Sequence, residues 1–162
     1  TRFIEHAGCE FADSYLRFSP DGQRVVFQRL GPEGQAIFSA TIDGEDERQL
    51  TGWAAWARPD WSRDGEWVVL QDREPGSHPG EATSLYRVRA DGTDLERLSD
   101  PGQRYSDRYP RYLPDGSAIL FSRCRAAEPC DTRLIDADGR NDRLLIPAFR
   151  FDVVHVVWQP SL

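Results

Sequence analysis

Six Asp-Gly pairs divide the 162-residue chain into three similar rows, and this repetition constrains the fold more than any other feature. The first row runs from Tyr15 to Thr51, the second from Arg58 to Ser99 and the third from Tyr109 to Ile146. The leading pairs start at Asp21, Asp64 and Asp115, the trailing pairs at Asp43, Asp91 and Asp138. Each pair follows or precedes a short apolar run, and Gly supplies the positive φ that closes a tight turn between antiparallel strands. One such pair marks a hairpin. Six in fixed order, recurring every forty-odd to fifty residues, mark a repeated supersecondary unit.

Each row reads as four strands, A to D. Strand A ends on an aromatic residue: Phe18, Trp61, Tyr112 and, in a partial fourth row, Trp158. Strand B is apolar, as in Val25-Val26-Phe27, Trp67-Val68-Val69-Leu70 and Ala118-Ile119-Leu120-Phe121. β-branched and aromatic runs of this length suit strands buried between packed sheets. Strand C alternates, and strand D is short and polar, which suits a solvated edge. The expected fold class is all-β: β-propeller blades of four antiparallel strands.

The spelling aromatic-Ser-Pro-Asp-Gly, apolar strand, Asp-Gly, Arg-x-Leu-Thr resembles the TolB-type, WD-like propeller repeat. Phe18 to Gly22 (FSPDG) and Arg48 to Thr51 (RQLT) carry the resemblance most closely, while LPDG and WSRDG depart by one position each. The resemblance covers nearly the whole chain. It implies the fold and leaves function open, because such blades serve as periplasmic binding proteins, as lids on serine peptidases and as scaffolds for sugar lyases.

Strand counting predicts complete blades over about 15–51, 58–99 and 109–146. A lone strand D is expected over 1–5 and a lone strand A over 153–159. The predicted whole, 1–162, is a partial or self-assembling propeller. Rings usually hold about four to eight blades, so the expected partners in closure are missing upstream blades or further copies in a homo-oligomer.

Up-and-down strands place the A–B and C–D turns on one face and the long B–C and D–A loops on the other. Loops on a rigid scaffold are where binding sites concentrate. The candidate ligand or partner-binding residues are Trp53, Trp56 and Tyr105 on that loop face, and Arg58, Tyr109, Arg111 and His155 on the channel-lining strand A. Tyr, Arg and His along a channel suit an anionic group or a peptide end. The plainer reading makes Trp53 and Trp56 packing residues and pairs Asp60 with Arg17 or Arg111 between blades.

The charge balance of 20 basic against 27 acidic residues, net −7, argues against nucleic acid, and no apolar run approaches a membrane span. Of the three cysteines, Cys124 and Cys130 flank one B–C loop and are positioned for a possible disulfide, with Cys9 left over. That pairing would suit a periplasmic or secreted location, with a cytoplasmic one as the alternative. No nucleophile elbow, Walker loop or zinc signature appears, so no catalytic residue, metal or cofactor is assigned. Three functions remain: a non-enzymatic protein- or peptide-binding scaffold, the propeller portion of a larger peptidase or polysaccharide lyase, and a purely structural self-assembly unit.

Overall fold

The structure, a computed structural model, describes residues 11–52, 58–73 and 82–148. No helix occurs among the described residues. The strands form three four-stranded antiparallel sheets, each in simple sequence order. The first holds β1 (Ala12–Phe18), β2 (Arg24–Gly31), β3 (Gly34–Thr41) and β4 (Arg48–Gln49). The second holds β5 (Asp60–Trp61), β6 (Trp67–Asp72), β7 (Ser84–Arg89) and β8 (Glu96–Arg97). The third holds β9 (Tyr105–Tyr112), β10 (Ala118–Arg125), β11 (Asp131–Asp136) and β12 (Arg143–Ile146). Two A strands start earlier than their rows suggested, at Ala12 instead of 15 and at Tyr105 instead of 109. Their leading polar residues resemble loop in sequence, yet Asp13 pairs with Arg29 and Asp107 with Arg123 across the ladder. The lone strands expected over 1–5 and 153–159 lie outside the described residues.

The Ser-x-Asp-Gly turns owe their spelling to hydrogen bonds. Ser19 Oγ donates to Asp21 Oδ1 at 2.6 Å and accepts from Arg24 N at 2.9 Å. Gly22 N donates to Ser19 O at 2.9 Å. Ser62 and Asp64 repeat the first contact at 2.5 Å, and Trp67 N donates to Ser62 Oγ at 2.9 Å. The hydroxyl and backbone donors hold the Asp21 and Asp64 carboxyls below the usual carboxylate range. In the third row Leu113 replaces the serine, and Ser117 Oγ donates to Asp115 instead.

The first strands of successive sheets touch, β1 against β5 and β5 against β9, so the A strands form a common inner edge. Apolar clusters fill the gaps between sheets. Val26, Ile37 and Leu50 meet Trp61, Val68, Leu70, Tyr86 and Val88. One blade on, Val69, Leu85 and Leu98 meet Ile119, Phe121 and Ile135. Burial of such side chains, about 1.5–3 kcal/mol for each large one, is the main force holding blade to blade. The D-strand leucines Leu50 and Leu98 are 4% and 6% exposed, whereas Leu145 at the equivalent place in the third sheet is 50% exposed. At the other end, Trp61 is 6% exposed and its Nε1 donates to Arg17 O, but Phe18, the same position in the first row, is 68% exposed. The A-strand aromatic therefore packs toward the preceding blade, and the D-strand leucine toward the following one.

A three-residue ionic unit recurs in the outer rows. Arg29 binds Asp13 through Nε and Nη2, and Glu47 through Nη1 and Nη2, at 2.6–3.0 Å. Arg123 binds Asp107 in the same bidentate way and Asp142 through Nη1, at 2.7–2.8 Å. Burial by itself would lower both arginine pKa values, but the carboxylate partners outweigh it and hold both above the ordinary value. Asp107 is fully buried and also accepts from Ser99 Oγ at 2.6 Å, tying the third sheet to the second. In the second row Asp72 stands where the outer rows have Arg29 and Arg123, so the unit cannot form there.

Cys124 and Cys130 are joined as a disulfide across the β10–β11 hairpin, six residues apart. Closing so short a loop contributes about 2 kcal/mol by the chain-entropy estimate. We expect the Cys124→Ser/Cys130→Ser double variant to fold with its unfolding free energy lowered by that amount, read as a lower urea midpoint. An unchanged midpoint in oxidised samples would show the bond to be idle.

Candidate functional site

The inner edge brings together residues from all three sheets. In β1 the register slips between Ser14 and Arg17, and in β9 it slips between Arg108 and Arg111. These are β-bulges, which bend a strand and re-aim its side chains. Tyr15 and Tyr109 sit at the bulges with φ of 55° and 59°, a left-handed conformation uncommon for bulky residues. The bulges interrupt the simple alternation expected along strand A.

Both tyrosines lie against Arg58, at the head of the intervening row. Its Cζ lies 4.7 Å from the Tyr15 ring centroid and 4.2 Å from that of Tyr109. Nη2 donates to the Tyr15 hydroxyl at 3.4 Å. A guanidinium between two aromatic faces is held electrostatically while its edge stays available for hydrogen bonds.

Arg111 lies beside this stack. Nη1 donates to Pro59 O and Pro110 O, both at 3.2 Å, and lies 4.0 Å from Asp60 Oδ1. Asp60 accepts from Tyr112 N at 3.0 Å. Burial pushes the Asp60 carboxyl up, against the pull of Arg111 and Arg17. Burial likewise lowers the Arg111 pKa; Asp60 opposes this, and the positive charges of Arg17 and Arg58 add to it. Arg17 and Arg111 thus share the field of one carboxylate, and Arg58 adds its positive charge beside Arg111.

Of the residues singled out from sequence, Arg58, Tyr109 and Arg111 converge here, joined by Tyr15, Arg17 and Asp60. Tyr105 sits elsewhere, at the start of β9 opposite Arg125 and 39% exposed. Trp53, Trp56 and His155 lie outside the described residues. No group of three or more metal-capable side chains occurs among the described residues. No helix there is long and apolar enough to cross a membrane.

Sequence reasoning assigned no role to a groove on the opposite, tight-turn face. It opens between the second and third sheets with a volume of about 470 Å³, and Arg63, Trp67, Arg87, Tyr112 and Asp115 line it. Arg87 and Arg89 stack on Trp67 with Cζ 4.2 and 4.5 Å from its ring. The available signal was Trp67 itself, standing where the other rows carry Arg24 and Ala118.

Four-stranded antiparallel sheets in sequence order, sharing an inner edge of A strands and packed face to face, define a run of β-propeller blades. A TolB structure from Agrobacterium tumefaciens superimposes with a TM-score of 0.72 at 26% identity, covering 85% of this chain and 50% of that one. The chain's repeats are similar to those of TolB-type β-propellers. An uncharacterised protein of Agrobacterium fabrum is 31% identical over 140 residues, 82% of this chain and 45% of that protein. A tricorn protease homologue of Streptomyces coelicolor is 29% identical over 140 residues, 80% of this chain and 9% of that protein. The chain thus spans about half the length, or less, of the curated relatives it matches. No protein-family model matches the sequence.

Proposed function

We propose that the chain is a non-catalytic binding module that captures protein or peptide at the inner edge of its blades and on the adjoining loop face. The observation that carries this reading is the Tyr15–Arg58–Tyr109 stack, a partly exposed aromatic and cationic site assembled from three separate blades. Exposed Tyr and Arg on a rigid scaffold are the residue types that anchor protein interfaces. The Cys124–Cys130 disulfide supports placement in an oxidising compartment, periplasmic or extracellular. The half-exposed Leu145 supports ring closure by further blades, from the same polypeptide or a second copy.

The similarity to a tricorn protease homologue favours a second reading, in which these blades are the propeller portion of a larger enzyme. A complete reading frame encoding a hydrolase or lyase domain would favour that alternative.

The test of capture is selection from a random-sequence peptide library displayed with either terminus free. Peptides enriched on the wild-type chain should bind Arg58→Ala at least tenfold more weakly, with the urea midpoint of the variant unchanged. Equal binding to both proteins, or no enrichment, would overturn the proposal.

A further inference from the structure

We infer that Arg17, Arg58 and Arg111 form an oxyanion site at the inner edge, and that its ligand is a carboxylate. The inference rests on the peptide-capture reading above and names the group that the site reads.

Arg111 and Arg17 both act on a single carboxylate, Asp60, which Arg111 reaches only at 4.0 Å, beyond direct hydrogen-bond length, and the charge of Arg58 bears on Arg111 in turn. Arginine stays protonated in proteins, so the excess positive charge cannot be relieved by losing a proton. Two other partly buried arginines have close acidic partners. Arg29 has Asp13 and Glu47 at 2.6–3.0 Å, and Arg123 has Asp107 and Asp142 at 2.7–2.8 Å. Arg111, by contrast, bonds backbone carbonyls, and Arg17 Nη1 donates to Leu16 O. Stacking against two tyrosines holds Arg58 without neutralising it.

The side chain of Arg111 is 31% exposed and Tyr15 is 40% exposed, so the cluster is open to a ligand on one side. A planar carboxylate matches the guanidinium fork and would bring the counter-charge that Asp60 alone does not supply. Within the capture reading, two sources provide that chemistry: the C-terminus of a peptide, or an Asp or Glu side chain.

The experiment follows Arg Nε–Hε NMR signals of the whole chain during titration with three probes. They are N-acetyl-Gly-Gly with a free carboxylate, the same dipeptide amidated, and N-acetyl-Glu amide, with inorganic phosphate as a competitor. The Arg58 and Arg111 signals should shift saturably with at least one carboxylate probe and not with amidated Gly-Gly. The probe that binds more tightly identifies the source. The Arg140 signal, from a largely exposed side chain, should stay put.

Arg111→Met should weaken carboxylate binding about tenfold or more, the scale of a charged hydrogen bond. Asp60→Asn keeps an acceptor for Tyr112 N while removing the internal counter-ion, and it should tighten carboxylate binding about three- to tenfold. A purely structural Asp60 would not produce that gain. Equal shifts with the free and amidated dipeptides would sink the carboxylate assignment while leaving peptide capture standing. Shifts with phosphate alone, or with no probe, would also overturn it, whatever the peptide library returns.

Discussion

Replacing Asp107 with alanine is expected to lower the unfolding free energy by about 3–5 kcal/mol, the largest effect of any single substitution considered. Asp107 is fully buried and receives Arg123 in bidentate form together with the Ser99 hydroxyl. Its backbone carbonyl accepts from Thr83 Oγ1 at 2.8 Å, so the residue joins β9 to the second sheet as well as to β10. Truncation strands a guanidinium whose side chain is only 15% exposed, and Asp142 satisfies one of its nitrogens alone. The equivalent Asp13 is 18% exposed and shares Arg29 with both oxygens of Glu47, so Asp13→Ala should cost less. Urea unfolding followed by tryptophan fluorescence would compare the two. If Asp107→Ala yields no folded protein, Asp107→Asn keeps the shape without the charge and should still fall below Asp13→Ala. A loss under about 1 kcal/mol for Asp107→Ala would show the buried pair to be dispensable.

Gly139→Ala should be the next most damaging change, at about 3 kcal/mol, combining left-handed strain with overpacking. Gly139 has φ +84°, and an added Cβ would stand 2.9 Å from Leu98 O and 3.2 Å from Leu98 Cα. Both are backbone atoms of the preceding blade, so relief requires two sheets to move apart. Gly22 isolates the strain: its φ is +69° and nothing lies within 4 Å of the added carbon. Gly22→Ala should therefore cost only about 1 kcal/mol. Similar midpoint shifts for the two variants would mean that the close approach of the blades contributes nothing.

Much of the fold was legible because its determinants are local. Ser19-Pro20-Asp21-Gly22 closes on itself through contacts within five residues, and such turns read the same in a peptide as in a blade. The apolar B strands announced their burial by composition, and Val26, Val68 and Ile119 are indeed fully buried. The candidate site was legible only in part. Arg58, Tyr109 and Arg111 stood out by residue type, but nothing in spacing alone marked the bulges that turn both tyrosines onto Arg58. A bulge inserts backbone without altering the hydrophobic pattern around it. The two ionic units were overlooked because Asp13 and Asp107 precede their rows and resemble loop residues.

By itself, then, the chain's sequence determined the repeating hairpins, the order of strands in each sheet and the burial of the B strands, since turn chemistry and apolar composition act over short range. Tertiary structure alone decided which groups meet across blades: Asp107 with Ser99, Gly139 with Leu98, and Arg58 with both tyrosines. Those contacts join residues at least eight positions apart, and most span different sheets. They depend on how one sheet rotates against the next, a quantity set by the summed packing of many side chains and written at no single position.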